Sequence, residues 1–176
     1  IGFFEAAYKG AQEASKEIKD DIKIIYTGPV TPTAEGQIEI VNSLISQRVD
    51  AIVISANDSD ALVPILKKAR QRGIKVVSFD SGVAEPGRDV HLNPSSNELI
   101  GQINVDLASD AVKASNSDSG DIAILSATPT ATNQNIWIEK IKELLPQHPE
   151  LNLVATVYGD DLADKSYREA QGLIKT

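Results

Sequence analysis

Residues 49–80, VDAIVISANDSDALVPILKKARQRGIKVVSFD, contain two hydrophobic runs, Ala51–Ser55 and Lys75–Phe79, on either side of a segment with helical periodicity. Both runs are rich in β-branched residues and nearly continuous in hydrophobicity, as are strands buried in a parallel sheet. In the segment between them, Asp60–Arg72, apolar residues recur at spacings of three and four. Gly73 stands where helices commonly end in a left-handed residue. The stretch therefore predicts two parallel strands joined by a right-handed helical crossover.

The same alternation of strand and helix extends over the rest of the chain and predicts an α/β fold with a doubly wound parallel sheet. Further strands are predicted at Lys23–Tyr26, Asp121–Leu125 and Leu153–Val157. Further helices are predicted at Phe4–Lys19, Thr33–Gln47, Ser95–Ala114, Asn133–Leu145 and Ala163–Ile174. The rhythm is interrupted at Asp89–Asn93, so we expect one lobe in residues 1–90 and a second in residues 91–176. Helical patterns lie at both ends of the sequence, and we expect it to be part of a longer mature protein.

The composition narrows the classes of function. The chain has 176 residues, 41% of them hydrophobic and 24% charged, with a formal net charge of -8 and no cysteine. This composition suits a folded domain, and the negative charge argues against a nucleic-acid partner, which needs clustered Lys and Arg. The absence of cysteine excludes disulfides and thiolate metal sites. A neutral ligand or a protein partner fits better.

No pattern typical of catalysis or of nucleotide binding is present. The glycine-rich dinucleotide and phosphate-binding motifs are absent, and neither paired carboxylates nor a Ser/His/Asp set can be discerned. We interpret His91 as a strand residue and His148 as part of an exposed turn. The acidic cluster of Asp160, Asp161 and Asp164 fits helix capping and dipole compensation better than a calcium loop. We therefore predict no catalytic residue, no metal site and no cofactor.

Ligands bind to open α/β sheets at the carboxyl ends of the strands, and the residues that follow the predicted strands here are small and polar. Asp80 directly follows the second hydrophobic run. It could form an Asx-turn, but at this position a carboxylate that accepts hydrogen bonds from ligand hydroxyls is the favoured interpretation. Asn133 and Gln134 begin a helix with more amides than a cap requires, and amides both donate and accept. Trp137, one turn further, could stack on a sugar, although core packing is commoner.

Several stretches resemble periplasmic sugar-binding proteins of ABC transporters. They are Gly2-Phe3-Phe4, Gly10-Ala11-Gln12, Thr27-Gly28-Pro29, residues 31–37, Val49-Asp50-Ala51-Ile52, residues 73–77 and Asp80-Ser81. Within that superfamily, three stretches are most similar to the rhamnose-binding proteins and the related autoinducer-2-binding proteins. These are Leu92-Asn93-Pro94-Ser95, residues 130–137 and Asp164-Lys165-Ser166.

The resemblance implies two Rossmann-like lobes, joined by a three-stranded hinge, that close around a ligand. It implies that Asp80, with Ser81 beside it, is the ligand carboxylate of the first lobe, and that Asn133 and Gln134 contact the ligand from the second. It also implies that Phe3 flanks the sugar. The autoinducer-2 binders carry Asp followed by Gln where this chain has Asn followed by Gln, which favours rhamnose or another deoxysugar. The first strand of the first lobe and the final ligand contacts are expected outside residues 1–176.

The resemblance further implies a solute-binding protein that captures a monosaccharide and delivers it to the membrane permease of an ABC transporter. It implies a monomer in the periplasm or at the extracytoplasmic surface, exported with a signal peptide, without enzymatic activity or a nucleic-acid partner. Two alternatives share the fold. One is an autoinducer-2 receptor. The other is the ligand-binding core of a sugar-responsive transcription regulator, which would need a DNA-binding segment before Ile1.

Overall fold

A computed structural model describes residues 2–18 and 22–175 of the chain, and it has an α/β architecture with parallel strands. The helices of the described residues are α1 (Gly2–Glu17), α2 (Ala34–Gln47), α3 (Val63–Gln71), α4 (Asn97–Ala114), α5 (Thr132–Leu144) and α6 (Ala163–Lys175). The strands are β1 (Ala51–Ile54), β2 (Lys75–Phe79), β3 (Val90–Leu92), β4 (Gly120–Ser126) and β5 (Leu151–Tyr158). Short 3-10 turns follow β2 and α5.

All six predicted helices are confirmed, with ends that differ by a few residues; Lys19, the predicted end of the first helix, lies outside the described residues. The largest difference is at α3, where Asp60 was expected to begin the helix. Instead, the Asp58 carboxylate accepts hydrogen bonds from the backbone N–H groups of Asp60 and Ala61, both at 2.9 Å, and holds a turn before the helix. Gly73 has φ 87°, the left-handed conformation expected of it after α3.

Four of the five predicted strands are confirmed, and the strand predicted at Lys23–Tyr26 is wrong. Residues 22–29 have no regular structure. A strand needs a neighbour for its N–H and C=O groups, and in the described chain β1 pairs only with β2. The Tyr26 ring instead stacks on Tyr8 of α1, with centroids 4.5 Å apart.

The strand β3 was not predicted, because three residues with a histidine in the middle give no strand pattern. It forms a parallel ladder with β2, pairing Val77 with Val90 and Phe79 with Leu92. Asp89, directly before β3, accepts the backbone N–H of Val76 at 2.8 Å and a hydrogen bond from Arg70 Nε at 2.9 Å. The hydrogen bonds of Asp89 therefore hold β3 in its register beside β2, because a strand of three residues has few ladder bonds of its own.

The described residues form two separate sheets, each with its own apolar core. The first has the order β1-β2-β3, with α2 and α3 packed against one face, and the second pairs β4 with β5 beneath α4 and α5. The predicted division after residue 90 would cut through β3, which belongs to the first sheet. We therefore propose that the boundary between two lobes lies after Leu92.

The first core should depend strongly on Leu66, which is 0% exposed and lies among the apolar residues of α2, α3, β1 and β2. Leu66→Ala removes buried methyl groups and leaves a cavity, so we expect the free energy of unfolding to fall by about 2–5 kcal/mol. Urea denaturation measures this loss. The matched control is Lys67→Ala at the exposed neighbouring position, and an equal loss in both variants would contradict the assignment of the core.

In the second core, a carboxylate joins α4 to β5. The buried Ser109 hydroxyl of α4 donates to Glu150 Oε1 at 2.5 Å, and His148 Nδ1 lies 3.2 Å from the same oxygen. Hydrogen bonds from the Ser109 hydroxyl, from the backbone N–H of Glu150 and from His148 lower the pKa of Glu150 from 4.5 to about 2. The ionised carboxylate is therefore the form that the fold stabilises.

This lowered pKa predicts a specific pH dependence of stability. A carboxylate whose pKa is lower in the folded state contributes its stability above the unfolded pKa of 4.5 and loses it as pH falls towards 2. Glu150→Gln cannot ionise, so the difference in unfolding free energy between wild type and variant should shrink over that pH range. Urea denaturation at a series of pH values measures it. Glu39→Gln, at an exposed position, is the matched control for the loss of one carboxylate, and a constant difference for Glu150→Gln would refute the prediction.

Candidate ligand-binding site

Asp80 lies at the carboxyl end of β2 and is held by residues of both neighbouring strands. Its carboxylate accepts a hydrogen bond from Ser55 Oγ, after β1, at 3.2 Å, and its N–H donates to the carbonyl of Leu92, at the end of β3, at 3.2 Å. Its φ of 57° is left-handed, a conformation that costs free energy for a residue other than glycine. The surrounding hydrogen bonds therefore fix the direction of this carboxylate.

Ser55 was missed as a site residue because it reads as the last residue of a strand. Gln37 of α2 holds it in place: Gln37 Nε2 donates to the carbonyl of Ser55, and Gln37 Oε1 accepts the N–H of Asn57, both at 2.8 Å. The sequence did contain a signal for Ser55, because it is a polar residue at the carboxyl end of a predicted strand, where α/β sheets bind their ligands.

Ser81, the residue after Asp80, is buried at 6% exposure. Its N–H donates to Ser55 Oγ at 3.4 Å and its carbonyl accepts from the N–H of Ala56 at 2.9 Å. In the described part of the chain its hydroxyl has no hydrogen-bond partner. Its backbone thus supports the loop, and ligand contact through its hydroxyl stays a prediction.

Gln134 stands in the first turn of α5 with its amide orientation fixed. Its Oε1 accepts the Ser126 hydroxyl and the backbone N–H of Ala127, both at 2.6 Å. Because a backbone N–H can only donate, the oxygen must face β4 and the Nε2 group must point away. No described residue accepts from that Nε2 group, which leaves it as a free donor.

Asn133 connects the end of the second sheet to that of the first. Its Oδ1 accepts the N–H of Gln134 at 2.7 Å, and its Nδ2 donates to Asp80 Oδ1 at 3.0 Å. A second contact of this kind joins Thr130 Oγ1 to the carbonyl of Asn57 at 2.9 Å. The fold thus brings together predicted site residues that lie 53 positions apart in the sequence.

A cleft of about 320 Å³ lies beside these contacts. It is lined by Asp58 and Ser59 of the first half of the chain and by Thr132 and Asn135 of the second, among others. Most of its lining residues carry polar side chains, but Asp80, Asn133 and Gln134 are not among them.

Two aromatic residues were predicted to contact the ligand. The Phe3 ring, 51% exposed, packs edge to face on Phe4 at 5.2 Å, and Phe4 packs likewise on Phe79 at 6.3 Å, next to Asp80. Phe3 therefore lies near the carboxyl end of β2. The Trp137 indole N–H donates to Asn97 Oδ1 of α4 at 2.7 Å, which favours the packing interpretation of this ring. Ligand contact by either ring stays a prediction.

The acidic cluster after β5 agrees with dipole compensation, because Asp164 lies in the first turn of α6, but differs from the capping interpretation. Asp160 pairs with Lys165 at 2.5 Å and Asp164 with Arg168 at 3.3 Å, so both carboxylates bind side chains rather than capping N–H groups. For Asp161, partial burial raises the pKa of the carboxyl above its ordinary value, and the nearby charges of Asp160 and Asp80 raise it further.

His91 is a strand residue, as interpreted from the sequence, but its strand β3 belongs to the first sheet, whereas the predicted division placed residue 91 in the second lobe. Its Nδ1 lies 2.9 Å from Ser78 Oγ and its Nε2 lies 2.8 Å from Asn93 Oδ1, so both ring nitrogens are occupied. Within residues 2–18 and 22–175, no cluster of His, Cys, Asp or Glu could hold a metal ion. No helix in the same ranges is sufficiently long and apolar to cross a membrane.

The sequence matches the family model of the periplasmic binding protein domain over residues 1–176. It is similar to an ABC-transporter solute-binding protein from Clostridium phytofermentas solved with bound L-rhamnose. That match has 39% identity and a TM-score of 0.82 and covers 87% of this chain and 47% of the other. It is also similar to LsrB from Clostridium saccharobutylicum in complex with AI-2, with 27% identity, a TM-score of 0.90 and coverage of 98% and 55%. A D-ribose/D-allose-binding protein from Pseudomonas aeruginosa is 41% identical over 80 residues, covering 45% of this chain and 25% of that protein.

The chain therefore belongs to the periplasmic binding protein family and has the type I fold of parallel sheets covered by helices. The family consists of binding proteins rather than enzymes, in agreement with the prediction from the sequence. The chain spans about half the length of the solved structures described above.

The free donor on Gln134 can be tested separately from the structural role of its oxygen. Gln134→Glu keeps an oxygen acceptor for Ser126 and Ala127 but removes the Nε2 donor. We expect unfolding free energy within about 1 kcal/mol of wild type and sugar affinity at least about tenfold lower, measured by urea denaturation and calorimetric titration.

The comparison variant Gln134→Ala removes the acceptor as well, so it should also lose about 1–3 kcal/mol of stability. Wild-type affinity in Gln134→Glu would show that the Nε2 group does not face the ligand.

Proposed function

We propose that this chain captures a monosaccharide for import, as part of the solute-binding protein of an ABC transporter. The observation that carries this proposal is the hydrogen bond between Asp80 and Asn133, which joins the carboxyl ends of two separate sheets. Polar groups that converge from two sheets are suited to enclosing a small ligand. The family supports a sugar as that ligand.

The chemistry of the site favours a polyol. Asp80 offers carboxylate oxygens, and the bonds it accepts from hydroxyl groups are charge-assisted and hence strong. Gln134 offers an unused N–H2 donor, and Asn133 offers another once it leaves Asp80. A ring carrying several hydroxyl groups can donate to the first and accept from the other two, because each hydroxyl does both.

Capture would proceed by closure of the two proposed lobes. The ligand replaces the direct contact of Asn133 with Asp80 by bonds to both side chains. The closed state is then stabilised by the difference in the ligand's affinity for the closed and open states. We propose that the closed form is the one that a membrane permease recognises, and that the protein works as a monomer in the periplasm or at the extracytoplasmic surface.

Among monosaccharides, we propose rhamnose or a related deoxysugar. The similarity at 39% identity to a protein solved with L-rhamnose supports this choice. Autoinducer-2 is the second candidate, because of the structural similarity to a protein solved with AI-2. The amide at Asn133, where the resemblance implies an aspartate in the autoinducer-2 binders, favours the sugar. The net charge of -8 gives no support to the alternative of a transcription regulator, because DNA binding needs clustered Lys and Arg.

Calorimetric titration of the full-length protein with L-rhamnose, D-ribose, D-arabinose and autoinducer-2 tests the proposal. We expect L-rhamnose to bind most tightly. Asp80→Asn keeps the shape of the side chain but loses its charge and one acceptor, so affinity should fall by about 100-fold or more. The variant should still fold, as circular dichroism will show.

The matched control is Asp164→Asn, which removes the same charge from a side chain that pairs only with Arg168 on α6. Its affinity should equal that of wild type. Absence of binding to all four compounds would overturn the proposed function, and wild-type affinity in Asp80→Asn would overturn the placement of the site.

A further inference from the structure

We propose that Ser126 is a positioning residue for ligand binding, because its hydroxyl holds the Gln134 amide in the orientation that presents the Nε2 donor. The inference rests on the function proposed above and deepens it, since Ser126 acts on the ligand through Gln134 and not by contact. Ser126 is the last residue of β4 and is 7% exposed. A buried hydroxyl needs a hydrogen-bond partner, and the partner here is the side chain of Gln134.

The contacts around Gln134 Oε1 use both acceptor positions of this amide oxygen. The Ser126 hydroxyl and the backbone N–H of Ala127 each donate to it at 2.6 Å. If the amide were reversed, its Nε2 group would face the N–H of Ala127, and neither group can accept a hydrogen bond. Ala127 therefore sets the orientation of the amide, and Ser126 adds the second bond that restricts its rotation.

The end of β4 that holds Gln134 is itself held by β5. Ser126 pairs with Tyr158 at the end of the parallel ladder. Directly beyond the ladder, the N–H of Gly159 donates to the carbonyl of Ser126 at 2.8 Å, and the N–H of Asp160 donates to the carbonyl of Ala127 at 2.7 Å. Because main-chain hydrogen bonds fix both residues that bind Gln134, these residues hold the amide at a defined place relative to the sheet.

The Gln134 side chain also connects the first turn of α5 to the end of β4. Ala131, the residue before α5, makes no side-chain hydrogen bond to cap the helix. The N–H of Gln134 donates to Asn133 Oδ1 at 2.7 Å, so both the main chain and the side-chain oxygen of Gln134 are engaged. Loss of the Ser126 hydroxyl would therefore loosen the side chain that carries the free donor.

Fixing the amide before the ligand arrives favours binding. A glutamine side chain has several rotatable bonds, and immobilising such a side chain on binding costs free energy. In this fold the clamp at the end of β4 has already restricted that freedom. The fixed amide presents its N–H2 group and no acceptor, so the ligand must place an acceptor oxygen against it.

Calorimetric titration of the full-length protein tests the inference with the sugar that wild type binds most tightly. Ser126→Ala removes only the hydroxyl, and we expect the affinity to fall about three- to tenfold, the equivalent of one hydrogen bond. The matched control is Ser109→Ala, at a second buried serine whose hydroxyl binds Glu150. The control should lose stability but keep its affinity within about twofold of wild type. Circular dichroism shows whether both variants fold.

A double-mutant cycle separates positioning through Gln134 from a general effect on the fold. If Ser126 acts through Gln134, then Ser126→Ala should change the affinity by less than about twofold when Gln134 is already alanine. A loss of stability alone would lower affinity by similar factors in the two backgrounds.

The outcomes distinguish this inference from the proposed function. If sugar binds and Ser126→Ala keeps wild-type affinity, or lowers it equally in both backgrounds, the positioning role is wrong while the proposed function stands. An equal loss of affinity in Ser109→Ala would also overturn the positioning role. If wild type binds none of the sugars, the proposed function fails, and the positioning role fails with it.

Discussion

Parallel strands end at the same edge of a sheet, and at that edge their backbone groups lose their ladder partners. In this protein polar side chains satisfy those groups. The side chain of Gln37 binds the end of β1 and that of Gln134 binds the end of β4, whereas the carbonyl at the end of β3 accepts the main-chain N–H of Asp80. The side chains that complete the hydrogen bonding of the strand ends are therefore those best placed to contact a ligand.

The same edge concentrates unfavourable backbone conformations. Of the residues other than glycine with positive φ in the described chain, Asp80, Asp160 and Asp161 lie here, whereas Arg48 and Asn116 lie at helix ends. Such conformations persist where the surrounding bonds over-determine them, and they often mark functional sites. Here main-chain hydrogen bonds from the N–H groups of Asp80 and Asp160, to the carbonyls of Leu92 and Ala127, help to hold these conformations.

Local patterns in the sequence predicted the helices, four strands and the group of Asp80, Asn133 and Gln134. Hydrophobic periodicity is a pattern within one segment, so it predicts helices and strands that are long enough to bury an apolar face of their own. It failed at residues 23–26, where apolar residues lack a partner strand, and at β3, whose pairing depends on Asp89.

The contact between Asp80 and Asn133 limits what these two residues can contribute to affinity. A ligand that binds both must first replace a hydrogen bond that already exists, so only the surplus of the new bonds over the old one favours binding. Gln134 Nε2 has no such bond to lose, and a hydroxyl group placed against it adds to affinity more directly. The engaged pair is thus suited to aligning the ligand between the sheets, and the unengaged donor of Gln134 is suited to choosing which ligand is retained.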